Sequence, residues 1–162
     1  MTNNQLLMMA AGVGVLIVLG GKTVIDLKDA GENEKKFAPV IAAAEKKYGI
    51  PPGLLHRLIR EESAFRTDII TGKKRSSVGA MGIAQFMPST AREVLGSEAA
   101  ALDPYKAIDG AGKYLRQLYQ WTHSRGWKDA VAAYNWGVGN VNKKGLAGAP
   151  AETKRYVSAV IA

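Results

Sequence analysis

Apolar and polar positions divide this chain into an uncharged start and a helical remainder. No side chain from Met1 to Gly21 is charged, and Leu6–Gly21 is an unbroken apolar run of sixteen residues. As a helix that run would span roughly 24 Å, short of the ~30 Å hydrocarbon layer. It reaches full thickness by continuing to Ile25, with Lys22 snorkelling to the interface. The pattern therefore predicts a membrane anchor helix over residues 1–25, the alternatives being a cleaved signal peptide and a buried helix. Met1–Gln5 offers no positive n-region beyond the amino terminus, and no small-residue cleavage site stands out. Residues 26–34 then read as a polar linker.

Beyond the linker the period is helical throughout. Phe37, Val40, Ile41 and Ala44 share one face of a helix over Lys35–Tyr48, which Gly49 stops. Pro51-Pro52 opens a second helix to about Ala64. Residues 66–80 read as a loop. A short helix over Pro88–Leu95 ends at Gly96. Asp103 caps a long helix with Pro104 at its first position, running to about Ser124. Trp127–Tyr134 and Pro150–Ala162 complete the set. No strand alternation, internal repeat or low-complexity tract appears, so residues 35–162 are expected to form one all-α domain large enough to bury a core.

Composition narrows the chemistry. The 162 residues contain no cysteine, which removes thiol nucleophiles, disulfides and cysteine-ligated metals. The net charge of +8 is spread evenly, with a surplus of four in each half. Its tightest cluster is Lys73, Lys74 and Arg75. Such a balance favours loose association with polyanions, but no motif points to specific nucleic-acid binding. No metal or phosphate-loop pattern is present, and no cofactor is expected.

Three segments carry candidate chemistry. In the second helix Leu54, Leu58 and Glu62 lie four apart on one face, so Glu62 prolongs an apolar stripe while Glu61 turns toward Arg57 and Arg60. A carboxyl group on a buried face is desolvated and holds its proton to higher pH, which is what general acid catalysis requires. Next comes Ser76-x-x-Gly79-Ala80-x-Gly82-Ile83-x-Gln85-x-x-Pro88-x-Thr90-Ala91. Its glycines permit unusual backbone angles, and Gln85 can bond an amide or hydroxyl. The third is Ala132-Ala133-Tyr134-Asn135-x-Gly137, where aromatic and amide groups suited to sugars crowd a helix end.

In order and spacing these segments, with Glu62-Ser63, resemble the lytic transglycosylases of the soluble-lytic-transglycosylase type, the lysozyme-like peptidoglycan lyases. The resemblance covers roughly residues 37–141. It implies a lysozyme-like all-α fold with a glycan cleft and Glu62 as the catalytic acid/base. Ser76, Gln85, Tyr134 and Asn135 match cleft residues that contact glycan or position the glutamate, and Tyr134 is expected to hydrogen-bond near Glu62. The chain departs from the family in having Ala84 where Met is usual and Trp136 before Gly137.

The implied reaction cleaves the bond between N-acetylmuramic acid and N-acetylglucosamine and leaves 1,6-anhydromuramoyl ends. One alternative is a hydrolytic muramidase of the goose-lysozyme kind with Asp68 activating water. Another is a non-catalytic wall-binding structural protein. The expected partners are a peptidoglycan strand and a membrane, together with proteins of a phage virion or of a secretion or conjugation machine. The expected location is membrane-anchored on the periplasmic or cell-wall side.

Overall fold

The computed structural model describes residues 23–162, with side chains from Asp29 onward. Among the described residues eight α-helices follow in order: α1 (Thr23–Tyr48), α2 (Leu54–Ser63), α3 (Thr67–Ile70), α4 (Pro88–Leu95), α5 (Pro104–Trp121), α6 (Trp127–Trp136), α7 (Val138–Lys144) and α8 (Ala151–Ile161). A 3₁₀ turn, Ala99–Leu102, precedes α5. Among the described residues there is no strand, only an isolated antiparallel bridge between Met81 and Phe86. The all-α expectation holds.

The long helix α5 is central, packing against α1 on one side and α6 on the other, while α8 closes over α2 and α6. The apolar stripes foreseen for α1 and α2 meet here. Phe37, Ile41, Leu55, Leu58 and Ile59 are buried with Ile108, Leu115, Leu118, Val131 and Val160. Asp103 caps α5 as expected, its carboxylate accepting from the Tyr105 and Lys106 amides. Gly110 lets α4 pack closely on α5, since a Cβ there would lie 2.0 Å from the end of the Leu95 side chain, which would have to move aside.

The stretch read as a linker is instead helical. Within the described residues helix α1 includes Thr23 and runs unbroken through residues 26–34. Most of that stretch consists of good helix formers, and a polar surface helix needs no apolar stripe when its side chains find tertiary partners. Asn33 Nδ2 donates to the Phe65 carbonyl at 3.0 Å and to Thr67 Oγ1 at 2.9 Å. Glu34 pairs with Arg60 and with His56. The expected anchor lies almost wholly outside the described residues, and among those described no helix is long and apolar enough to cross a membrane.

Candidate active site

Helix α2 carries the candidate acid, and its start is fixed by a carboxylate from another helix. Gly53 supplies no side-chain cap. Instead Glu45 of α1, only 6% exposed, reaches the free amides of the first turn. Its carboxylate accepts from Gly53 N and Leu55 N at 2.9 Å and from His56 N at 3.2 Å. An anion at a helix N-terminus both satisfies orphan donors and complements the helix dipole. The far end stops abruptly. Ala64 and Phe65 both adopt left-handed backbone, φ 47° and 56°, directly after Glu62-Ser63. Two successive non-glycine residues there are costly, and such geometry clusters at functional sites. The Ser63 hydroxyl donates to Ile59 O at 3.1 Å and accepts from Phe65 N at 3.2 Å, bracing the turn.

Glu62 is partly buried, and its Oε1 accepts a hydrogen bond from the Tyr156 hydroxyl of α8. Loss of water pushes its pKa up to about 7, against the Tyr156 hydrogen bond, which favours the ionised form, and with help from the charge of Glu61. Near neutrality Glu62 is therefore balanced between giving and taking a proton. Both Tyr134 and Tyr156 are held well above ordinary phenol values by burial and by the nearby Glu62 charge, so they remain neutral donors.

Tyr134 lies near enough to feel the Glu62 charge, but its hydrogen bond goes to the backbone and not to the carboxyl group. Its hydroxyl donates to the Ala84 carbonyl at 2.9 Å, because α6 points it across to the loop ahead of α4. Tyr156 takes the place next to Glu62, a residue that sequence reading overlooked. The available signal was a phenol on the otherwise apolar face of α8, beside Val157 and Val160.

The loop before α4 is a tight hairpin. Met81 and Phe86 exchange two backbone hydrogen bonds at 3.1 and 3.0 Å. Gly82 (φ 74°) and Gln85 (φ 48°) take left-handed conformations at its ends. A Cβ at Gly82 would sit 1.8 Å from the Ala101 carbonyl oxygen, so only glycine fits. Gln85 Nε2 donates to Gly82 O at 2.9 Å, which leaves its carbonyl oxygen available. Gln85, Phe86, Met87, Thr90, Tyr114 and Tyr134 line a crevice. The Tyr114 and Tyr134 rings stand 5.6 Å apart within it.

Ser76 and Asn135 have structural duties. Ser76 Oγ accepts from Ala80 N at 2.9 Å, closing a turn. Asn135 is exposed, and its Oδ1 accepts from the buried Thr153 hydroxyl at 2.9 Å, tying α6 to α8. Each keeps one donor unspent, the Ser76 hydroxyl proton and the Asn135 amide. Asp68 is bound by Arg66 at 2.7 and 3.2 Å and accepts from Ile69 N at 3.0 Å. Asp109 is held by Lys47 and Tyr48. No group of three or more metal-ligating side chains gathers among the described residues.

Two comparisons bear on this arrangement. The family described as Transglycosylase SLT domain matches residues 39–157. Protein IpgF of Shigella flexneri is 32% identical over 104 residues, covering 62% of this chain and 67% of that protein.

Proposed function

The chain belongs to the SLT transglycosylase family and is a peptidoglycan lytic transglycosylase; from that premise we propose that Glu62 alone serves as both acid and base. Protonated Glu62 gives its proton to the glycosidic oxygen between N-acetylmuramic acid and N-acetylglucosamine as the C1–O bond breaks. The resulting carboxylate takes the proton of the muramoyl C6 hydroxyl, whose oxygen closes on C1. The product is a 1,6-anhydro ring, no water is consumed, and Glu62 ends protonated.

The observation that carries this reading is the partly buried Glu62 carboxyl group at the end of α2, with the Tyr156 hydroxyl on its Oε1; loss of water there pushes its pKa up to about 7. A general acid that must next act as base works best near that balance. Asp68, the water activator of the hydrolytic alternative, is already engaged by Arg66 and the α3 backbone. That engagement favours the one-carboxyl reaction over the paired-carboxylate one. Tyr156 orients the carboxyl group, while Gln85, Tyr134, Ser76 and Asn135 supply donors and surfaces to glycan.

We propose local opening of the wall, by a virion or by a secretion or conjugation machine, with the uncharged Met1–Gly21 segment keeping the domain at a membrane. The support is the composition of that segment.

Mass spectrometry of muropeptides released from purified wall tests the reaction. The expected products are lighter by one water than hydrolytic ones and resist borohydride. Reducible ends would return attention to Asp68.

A further inference from the structure

Between α3 and the hairpin, three consecutive cations stand on a braced loop. Lys73, Lys74 and Arg75 are all exposed, and among the described residues none pairs with a carboxylate. The nearest acidic residue in sequence, Asp68, is neutralised by Arg66.

The loop is pinned on both sides of the triplet. On one side Gly72 (φ 73°) lies so close to Leu102 that a Cβ would fall 2.7 Å from its side chain. The Lys74 amide donates to Asp68 O at 2.9 Å. On the other side Ser76 N donates to Ala80 O at 3.2 Å while Ser76 Oγ accepts from Ala80 N. Ser76 is thus folded back onto Ala80, which adjoins Met81 at the base of the hairpin that carries Gln85. The backbone of Arg75 must lie within about 10 Å of that base. A pinned cationic projection loses less conformational freedom on meeting an anion than a floppy one does.

We infer that Lys73, Lys74 and Arg75 form a subsite for the free carboxylates of the peptide stems on the glycan strand. This rests on the transglycosylase reading above, in which Gln85 faces that strand. Stems leave the strand at every muramic acid, so anions recur beside the cleft at the spacing of the sugars. That periodic placement favours stems over teichoic acid or an anionic lipid, neither of which is tied to the strand register. Exposed pairs are individually weak and screened by salt, so the gain lies in association and in the preference for unamidated walls.

The test compares the wild-type chain with a Lys73→Gln, Lys74→Gln, Arg75→Gln triple variant on three substrates. These are sacculi free of teichoic acid, the same sacculi with carboxylates amidated by carbodiimide and ammonia, and strands stripped of stems by an amidase. At low salt the variant is expected to show KM raised about fivefold on untreated sacculi, with kcat unchanged and no difference from wild type on the other two. A second measurement needs no substitution: raising salt should raise the wild-type KM on untreated sacculi and not on stripped strands. Equal KM for both proteins on untreated sacculi, at unchanged melting temperature, overturns the inference. So does a defect that persists on amidated or stripped substrate, or a salt effect equal on all three. A wild-type chain that releases no anhydro product from any of them overturns the transglycosylase reading itself.

Discussion

At Glu62 desolvation and a phenol hydrogen bond pull in opposite directions, and each can be removed separately. Glu62→Gln keeps the shape and loses the proton, so kcat should fall at least about a hundredfold while the fold persists. Stability should move the other way. The folded carboxyl holds its proton to about 7, whereas its ordinary value is 4.5. Between those values the unfolded chain releases a proton that the folded chain retains, so stability falls as pH rises through that window. Glu62→Gln escapes this loss and should be more stable than wild type by roughly 2–3 kcal/mol at pH 8, with the gap closing toward pH 4. Urea titrations at both pH values check it. Tyr156→Phe removes the donor that favours the ionised form. The alkaline fall of its pH–rate profile should therefore shift to higher pH, and an unmoved profile would deny Tyr156 that role. Glu62 was legible because residues four apart share a helix face and because Glu62-Ser63 falls where the resembling family carries its acid. Tyr156 was not, because pairing a phenol with a particular carboxylate 94 residues away requires knowing how α8 docks.

Among the elements, α2 is held at both ends by groups that do not belong to it, and this is where sequence periodicity falls silent. Its apolar stripe is plain from spacing, whereas its cap is a glutamate from α1. Glu45→Ala should leave buried amides without an acceptor and cost about 3 kcal/mol. Glu45→Gln should cost less, since one acceptor remains. Chemical denaturation separates the two. At the other end the Tyr156 hydroxyl of α8 donates to Glu62, while within the first turn Arg57 Nε donates to the Val160 carbonyl at 2.7 Å, a second tie between α2 and α8. Helices α4 and α5 begin where Pro88 and the Asp103-Pro104 pair predicted, because local chemistry decides those starts. Helices α3 and α7, of four and seven residues, were missed, being too short to display a period. The hairpin also escaped notice, though its glycines did not. Gly82→Ala should destabilise the domain by at least about 3 kcal/mol, through positive φ and collision with Ala101 O.

At the scale of the molecule, the helix through residues 26–34 makes the start of α1 part of the domain. A chain beginning at Thr23 should fold and digest wall, whereas one beginning at Phe37 loses the Asn33 and Glu34 contacts and should melt earlier; circular dichroism distinguishes them. The placement of Tyr156 has a temporal consequence as well. Glu62 and its hydrogen-bond donor are among the most distant pairs in the chain, joined only when α8 settles on α2 and α6. Closing so long a loop is slow compared with forming the local helices. A newly made chain should therefore pass through a stage in which α2 and the hairpin already exist while the carboxyl still lacks its donor. With α8 undocked, Asn135 also lacks Thr153 and α2 lacks its Arg57–Val160 tie, so such a species can be compact without being able to cut. The cell that synthesises this enzyme then meets a harmless intermediate first, and recovery of wall-cleaving activity on refolding should lag behind recovery of helical content.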